Sequence, residues 1–482
     1  MNSTTQLTLT AVSDDLGVTL TGTVPGPVPT ITIDAGNHTT VTVDVTNLSS
    51  PVQITAHVLQ DAAPVLCELL GADLVELLEN DVAAGGTERV LSFSASPAWA
   101  ALTDLATEQW LETWSPFPLD TSLLAADRVA AGRAARFVGS SASPAAISRA
   151  LTPLAALARL QADGRISDAA AARVQAALTA ARQVLPAGPD RAPELSAGAG
   201  GFAAQAAVDV LTGNILPLGA LTADIIGKNP DGGITRITGS ADWRLSGHGL
   251  ISLAEDVITA TVLDQEDSAE TGDFTGTVKI VAPAQDTSGA GEPVFFQAFI
   301  TDAITGEIIA YTHLHLSGDG KRFEGTAPLA RPLAETDIID LRHPAQNEPV
   351  ERNLQRRAVD RIHRCAARAY SLQRLTAALP PEQRKPAAVA RLWGSTAKEI
   401  TLARADDLQR AVPARWAEHA SAYELLAYSG SAQPSHKHRV SQILAEHAGG
   451  SLPPVAEYPV AAPVLAEHGL AGTLALEGQA HA

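Results

Sequence analysis

Two stretches of the chain alternate apolar and polar residues with a period of two, and segments with the helical period separate and follow them. In the first stretch, residues 6–60, Ile31 and Ile33 are flanked by polar residues, and the valines of the TVTVDV run repeat this pattern. Such alternation is typical of antiparallel strands with one buried face. It returns over residues 234–330, with glycine-rich turns between the apolar runs. The sequence therefore predicts an α+β multidomain fold, in which two antiparallel β-sandwich domains are interleaved with α-helical regions.

The same patterns divide the 482 residues into successive units. We predict an N-terminal β-sandwich (1–97), a helical region with a hairpin (98–186), a linker and apolar helical pair (187–233), a second β-sandwich (234–330), a basic helical region (331–448) and a Pro/Ala-rich tail (449–482) that is loosely ordered or docked as an extended arm. Leucines at helical spacing over residues 64–80 predict a helical interruption of the first sandwich. The hairpin at 154–185 is similar to bacterial helix–Gly–helix oligomerisation modules, which implies self-association.

The charge of the chain argues against nucleic acid as a partner. The formal net charge is −19, and aromatic residues make up 4% of the sequence. Binding to phosphates depends on Lys and Arg, and binding to single strands depends on aromatic stacking. Residues 342–416 nevertheless hold 15 Lys and Arg against 7 Asp and Glu, a net of +8. These basic residues either solvate exposed helix faces or face acidic surface on this chain or a neighbouring copy.

The two cysteines and the amino terminus favour a cytoplasmic protein. Cys67 and Cys365 lie far apart and belong to no CxxC or Cys/His pattern, so we expect free thiols rather than a zinc or redox site. The first residues, MNSTTQLTLT, lack the basic start and apolar core of a secretory signal.

Residues 202–227 are the most apolar segment and raise the alternative of a membrane-active or exported protein. Their length suffices to span a bilayer, but Gln205, Asp209, Asn214 and Asp224 would then lie in hydrocarbon. We expect a buried pair of short helices, and we keep insertion into a membrane as the alternative.

One part of the first sandwich resembles a known family. The segment VPGPVPTITIDAGN, starting at Val24, and the segment VTVDVTN, starting at Val41, resemble the opening of a cupredoxin domain as found in multicopper oxidases. This resemblance implies a Greek-key sandwich. In that family a His-x-His pair follows and binds copper, whereas the corresponding stretch of this chain contains the single His57. The missing ligands argue against an oxidase.

Two histidines of the second sandwich are candidate metal ligands. His313 and His315 are two residues apart on a predicted strand, so their side chains project from the same face, opposite Leu314 and Leu316. A metal would need a third ligand from a neighbouring strand, and the sequence identifies none. We therefore expect a polar, solvent-facing strand face and assign no metal.

Two further patterns occur in the helical regions. Ser395 and Lys398 match the S-x-x-K pattern of penicillin-recognising hydrolases, but the downstream partners that those enzymes need are missing, so we interpret the match as chance. Three Ala-Glu-His triplets end at His419, His447 and His468. They reflect either composition or an interface that is sensitive to pH near 6.

No nucleophile, metal cage or nucleotide loop emerges from the sequence, and we predict no catalytic, cofactor-binding or metal-binding residues. The leading hypothesis is a cytoplasmic, non-enzymatic scaffold or assembly protein that self-associates or docks a protein partner. The alternatives are the membrane-active protein that inserts residues 202–227 and an enzyme whose site is assembled from dispersed residues.

Overall fold

The structure is a computed structural model of the chain. It describes residues 4–11, 17–83, 89–117, 119–134, 144–162, 169–184, 227–228, 234–239, 251, 258–267, 274–284, 295–302, 305–334, 337–343, 354–379, 384, 386–405, 412–429, 431–447 and 463–471. Of the apolar stretch 202–227, predicted to form a helical pair or a membrane hairpin, residues 202–226 lie outside these ranges, and Gly227 belongs to a strand. No helix in the described ranges combines the length and the apolar character needed to cross a membrane.

The described residues form strands and helices, which are numbered in chain order. The strands are β1 (Thr4–Ala11), β2 (Val18–Thr21), β3 (Ile31–Gly36), β4 (Thr39–Val43), β5 (Pro51–Ala56), β6 (Arg89–Ser94), β7 (Gly227–Lys228), β8 (Ile234–Gly239), β9 (Ile258–Asp267), β10 (Phe274–Pro283), β11 (Phe295–Asp302), β12 (Ile308–Leu316), β13 (Arg322–Pro328) and β14 (Asp337–Arg342). The helices are α1 (Leu59–Leu70), α2 (Ala72–Ala83), α3 (Pro97–Trp114), α4 (Thr121–Ala134), α5 (Pro144–Ala162), α6 (Ala169–Val184), α7 (Leu354–Ala378), α8 (Pro386–Ala405), α9 (Trp416–Tyr428), α10 (Pro434–Glu446) and α11 (465–471).

The first sheet is antiparallel, with strand order β3-β4-β5-β2-β1-β6. Alternate residues of its strands are buried, as the period of two predicts; Ile31 and Ile33 on β3 pair with Val43 and Val41 on β4. Between β5 and β6 the chain forms α1 and α2, which confirms the predicted helical interruption at 64–80.

The first sheet and the described helices other than α10 share one hydrophobic core, so the sequence regions predicted as an N-terminal sandwich, a helical region and a basic helical region form one main unit. Its core contains Val41 of the sheet, Leu154 and Val174 of the hairpin, Trp393 of α8 and Leu465 of α11. The apolar stripe of the α5–α6 hairpin therefore packs inside its own chain and is not a free oligomerisation surface.

Aromatic side chains of the helices bond to backbone carbonyls beside the first sheet. The indole Nε1 of Trp110 donates to the Pro29 carbonyl at 2.8 Å, and that of Trp99 donates to the Leu48 carbonyl at 2.9 Å. The hydroxyl of Tyr370 on α7 donates to the Val45 carbonyl at 2.7 Å. These bonds satisfy carbonyls that lie outside the sheet ladder, and they fix how α3 and α7 sit on the sheet.

The second sheet is antiparallel, with strand order β14-β11-β12-β13-β10-β9-β8-β7, and has its own core. The alternation predicted over residues 234–330 corresponds to strands β8 to β13. The predicted end of this unit at residue 330 is too early, because β14 pairs with β11 over residues 337–342 and buries Ile339 and Leu341 at alternate positions. Strand β14 also contacts β8 and β9, near the other end of the sheet, so the sheet folds back on itself.

Candidate functional site: a docked C-terminal segment

Residues 463–471, which we call the docked segment, are inserted into the main unit. Val464, Leu465, Leu470 and Ala471 are buried and belong to the main core. This segment lies in the Pro/Ala-rich tail, for which the sequence predicts loose order or an extended arm. It is instead a short helix that is almost fully enclosed. The surface that holds it, which we call the segment groove, carries Leu123 and Asp127 of α4, Arg173 of α6 and Arg374 of α7.

The sequence of the docked segment explains why it is helical. Pro463 precedes the helix, and the Glu467 carboxylate accepts the Val464 N–H at 2.8 Å, which is the glutamate half of a capping box. The carboxylate of Asp127, from α4, accepts the Leu465 N–H at 2.6 Å. Two backbone N–H groups at the start of the helix, which have no partner within the helix, thus donate to carboxylates. The negative charge of these carboxylates also interacts favourably with the positive end of the helix dipole.

A buried ion pair joins the docked segment to α7. The Nε of Arg374 donates to one oxygen of Glu467 at 2.8 Å, and its Nη2 donates to the other oxygen at 2.7 Å. Exposure is 0% for the Arg374 side chain and 3% for that of Glu467. Burial alone would lower the pKa of Arg374, but the Glu467 carboxylate outweighs it and holds the pKa above its ordinary value. The guanidinium therefore stays charged and requires this partner.

A second charged group lies beside this pair. Arg173 donates to Asp104 at 3.0 Å and to Asp127 at 3.3 Å. Among the described residues, neither carboxylate oxygen of Glu108 has a hydrogen-bond partner. Burial, followed by the charge of Asp127, raises the pKa of Glu108 well above its usual range, and burial raises the pKa of Asp127 to about 6 although Arg173 opposes this. Three carboxyl groups thus share one arginine, and burial favours the neutral form of Glu108.

His468 is enclosed next to these charges. Its side chain is fully buried, and neither ring nitrogen has a hydrogen-bond partner within the described part of the chain. Burial lowers its pKa to about 4; Glu467 opposes this shift, and Arg173 and Arg374 add to it. The imidazole is therefore neutral at pH 7 and packs as an apolar ring.

Converging carboxylates with shifted pKa values are also a signature of enzyme sites. In this site, however, Glu108, Asp127 and Glu467 have at most 3% of their surface exposed, so a substrate cannot reach their oxygens while the segment is docked. No group of three or more His, Cys, Asp or Glu in the described ranges could hold a metal ion. What this arrangement can do is hold one specific peptide by charge and shape.

The predicted histidine pair lies in the second sheet. His313 and His315 project from the exposed face of β12, with ring centroids 6.5 Å apart. The hydroxyl of Tyr311 is 2.9 Å from Nε2 of His313, and Phe295 on β11 packs against His313 at 5.2 Å between ring centroids. Leu314 is buried on the opposite face, whereas Leu316, expected beside it, is exposed. These rings form an exposed aromatic strip without a third metal ligand among the described residues.

The other predicted patterns are dispersed. The Ser395 hydroxyl donates to the Arg391 carbonyl one turn earlier in α8, and Lys398 is exposed. Cys67 and Cys365 are not joined in a disulfide. His57 is exposed immediately after β5, far in sequence from the docked segment.

The three Ala-Glu-His triplets occupy different environments. Glu418 and Glu446 are exposed, and the Glu446 triplet lies at the end of α10, where the His447 N–H already bonds to the Ile443 carbonyl. Only the triplet of the docked segment buries its glutamate. The recurrence therefore does not mark one structural motif, and the role of Glu467 could not be identified from the triplet alone.

Comparisons with protein-family models, with curated proteins and with solved structures find no match for this chain.

Proposed function

We propose that the protein is a non-enzymatic scaffold or assembly protein, and that its main unit is a receptor for a short helical peptide of the type Val-Leu-Ala-Glu-His. In this structure the receptor holds the docked segment of its own chain. The observation that carries the proposal is the bidentate pair between Arg374 and Glu467, both buried, at the centre of a nine-residue segment enclosed by helices from distant parts of the chain.

The contacts of the docked segment have the features of a specific peptide site. Val464, Leu465 and Leu470 supply apolar burial, each contributing about 1.5–3 kcal/mol. The ion pair and the Asp127 cap then select for one charge pattern and one helix direction, because a peptide without the glutamate would leave Arg374 buried without its carboxylate partner.

The test uses the full chain. Glu467→Ala should release the docked segment, and a fluorescent peptide with the sequence of residues 461–474 should then bind the emptied groove, measured by anisotropy. The wild-type protein, whose groove is occupied, should bind the peptide at least about tenfold more weakly. A peptide carrying the same Glu467→Ala change should not bind.

The chain offers a matched control. Glu446 lies in an identical Leu-Ala-Glu-His stretch but is exposed, so Glu446→Ala should leave peptide binding at the wild-type level. If the Glu467→Ala protein shows the segment released by hydrogen exchange and still binds no peptide, the proposed receptor function is wrong.

Two finer parts of the proposal concern architecture and location. We propose that both sheets belong to sandwich-like units, the first of cupredoxin-like type; the contact of β14 with β8 and β9 supports this for the second sheet. We also propose a cytoplasmic location, which is supported by two cysteines that form no disulfide.

A further inference from the structure

We propose that two copies of this chain exchange their docked segments, each filling the segment groove of the other. This inference rests on the proposed receptor function and names its partner as a second copy. The contacts that hold the segment do not require that it belong to the same chain. Arg374 is 93 residues from Glu467 in sequence, and Asp127 is 338 residues from Leu465.

The length of chain before the docked segment permits the exchange. The described residues that include α10 end at residue 447, and the docked segment begins at residue 463. Fifteen residues, 448–462, therefore connect the two. Fifteen residues reach at most about 50 Å when extended. A compact unit of about 250 residues, the described size of the main unit, has a diameter of about 46 Å, so an extended connection can just reach the groove of a copy that lies against it.

Exchange keeps every contact of the docked segment. The ion pair of Arg374 with Glu467 and the bond from Leu465 to Asp127 form equally well between copies, so the two states differ mainly in the entropy of association. A connection of this length gives the groove an effective concentration of its own segment in the millimolar range. We therefore expect monomers in dilute solution and exchanged dimers as the protein concentration approaches that range.

A disulfide trap distinguishes the two arrangements. A Cβ atom added at Gly469 would lie 3.0 Å from Cδ1 of Leu123. Because Cδ1 is two bonds beyond the Leu123 Cβ, the two Cβ atoms are at most about 5.5 Å apart, and cysteines at both positions can be joined after a small shift. The variant combines Leu123→Cys and Gly469→Cys with Cys67→Ser and Cys365→Ala. After oxidation at about 10 µM and at about 500 µM, a non-reducing denaturing gel reports whether the bond lies within a chain or between chains. The two single-cysteine variants are the controls for random cross-linking.

The expected result is a cross-linked monomer at the low concentration and at least about tenfold more cross-linked dimer at the high one. Cross-linked monomer alone at both concentrations overturns the exchange and leaves the receptor function standing. Absence of any cross-link in a variant that is folded by circular dichroism overturns both.

A second measurement uses the protein without engineered cysteines. Light scattering coupled to size-exclusion chromatography, after incubation at about 500 µM, should detect a species of twice the 49.9 kDa chain mass. Glu467→Ala should abolish this dimer, and Glu446→Ala should keep it. A dimer that persists in Glu467→Ala contradicts the exchange, because it must form through another surface.

Discussion

Replacing Glu467 with Gln tests the ion pair that holds the docked segment. Glutamine keeps the shape of the side chain and can still accept the Val464 N–H, but it removes the negative charge. Arg374, whose side chain is fully buried, would then lack its counterion. Breaking one partner of a buried pair costs about 3–5 kcal/mol. We expect the docking of the segment to weaken by that amount.

Hydrogen exchange measures this locally. The amide of His468, bonded to the Val464 carbonyl, exchanges when the segment undocks. A loss of about 3–5 kcal/mol corresponds to a fall in its protection of more than two orders of magnitude. Protection within tenfold of the wild type would refute the reasoning. The amides of the second sheet, which has a separate core, are the internal control.

The double variant Arg374→Met/Glu467→Met extends the test. Replacing both charges with apolar side chains of similar volume removes the desolvation cost together with the pair, so docking should return to within about 1–2 kcal/mol of the wild type. A double variant as weak as Glu467→Gln would show that the pair contributes through shape and not through charge.

Three further outcomes follow from the same structure. The pKa of His468 is lowered to about 4 from an ordinary value of about 6.5, so the stability that its neutral form contributes is complete above pH 6.5 and is lost as the pH falls towards 4. In the wild type, the docked segment should therefore lose stability between pH 6.5 and 4.5, and His468→Gln should reduce that loss by about 2–3 kcal/mol. Amide hydrogen exchange in the docked segment measures the loss at each pH, and an unchanged pH profile would contradict this. The pKa of Asp127 is raised to about 6, so its ionisation opposes folding as the pH rises from 4 to 6. Asp127→Asn should therefore gain stability relative to the wild type over that interval. We expect a gain of up to about 3 kcal/mol in the free energy of unfolding, measured by urea unfolding curves. A Cβ at Gly325 would overlap the His313 carbonyl oxygen, so Gly325→Ala should destabilise the second sheet by about 1–3 kcal/mol in thermal unfolding. Gly318 has open space around it, so the control Gly318→Ala should change stability by less than about 0.5 kcal/mol.

The regular elements were predictable because their signals are local. Alternation over residues 234–330 located the second sheet up to β13, and the predicted helical regions 98–186 and 331–448 contain α3 to α6 and α7 to α10. The helical interruption of the first sheet was visible for the same reason. The late strand β14 was not predicted, because a turn-like sequence precedes it and separates its short apolar alternation from that of β13.

The site itself was not predictable, because its contacts are non-local. The docked segment is short, and alanine, proline and glycine around it suggest a loose tail. Glu467 and His468 stand out only as part of one of three triplets, and nothing in the sequence shows that one glutamate is paired with a buried arginine while two are exposed. Arg374 likewise belongs to a run of basic residues, and nothing in the sequence distinguishes it from the other members of that run.

The hydrogen bond from Tyr370 to the Val45 carbonyl and the burial of Leu465 in the same core as Val41 carry a consequence for biosynthesis. Residues from distant parts of the sequence complete a single interior, so a ribosome-bound nascent chain cannot finish the main unit until the docked segment has emerged. A chain that ended ahead of the docked segment would leave Arg374 without its Glu467 counterion and the interior open to solvent and to degradation.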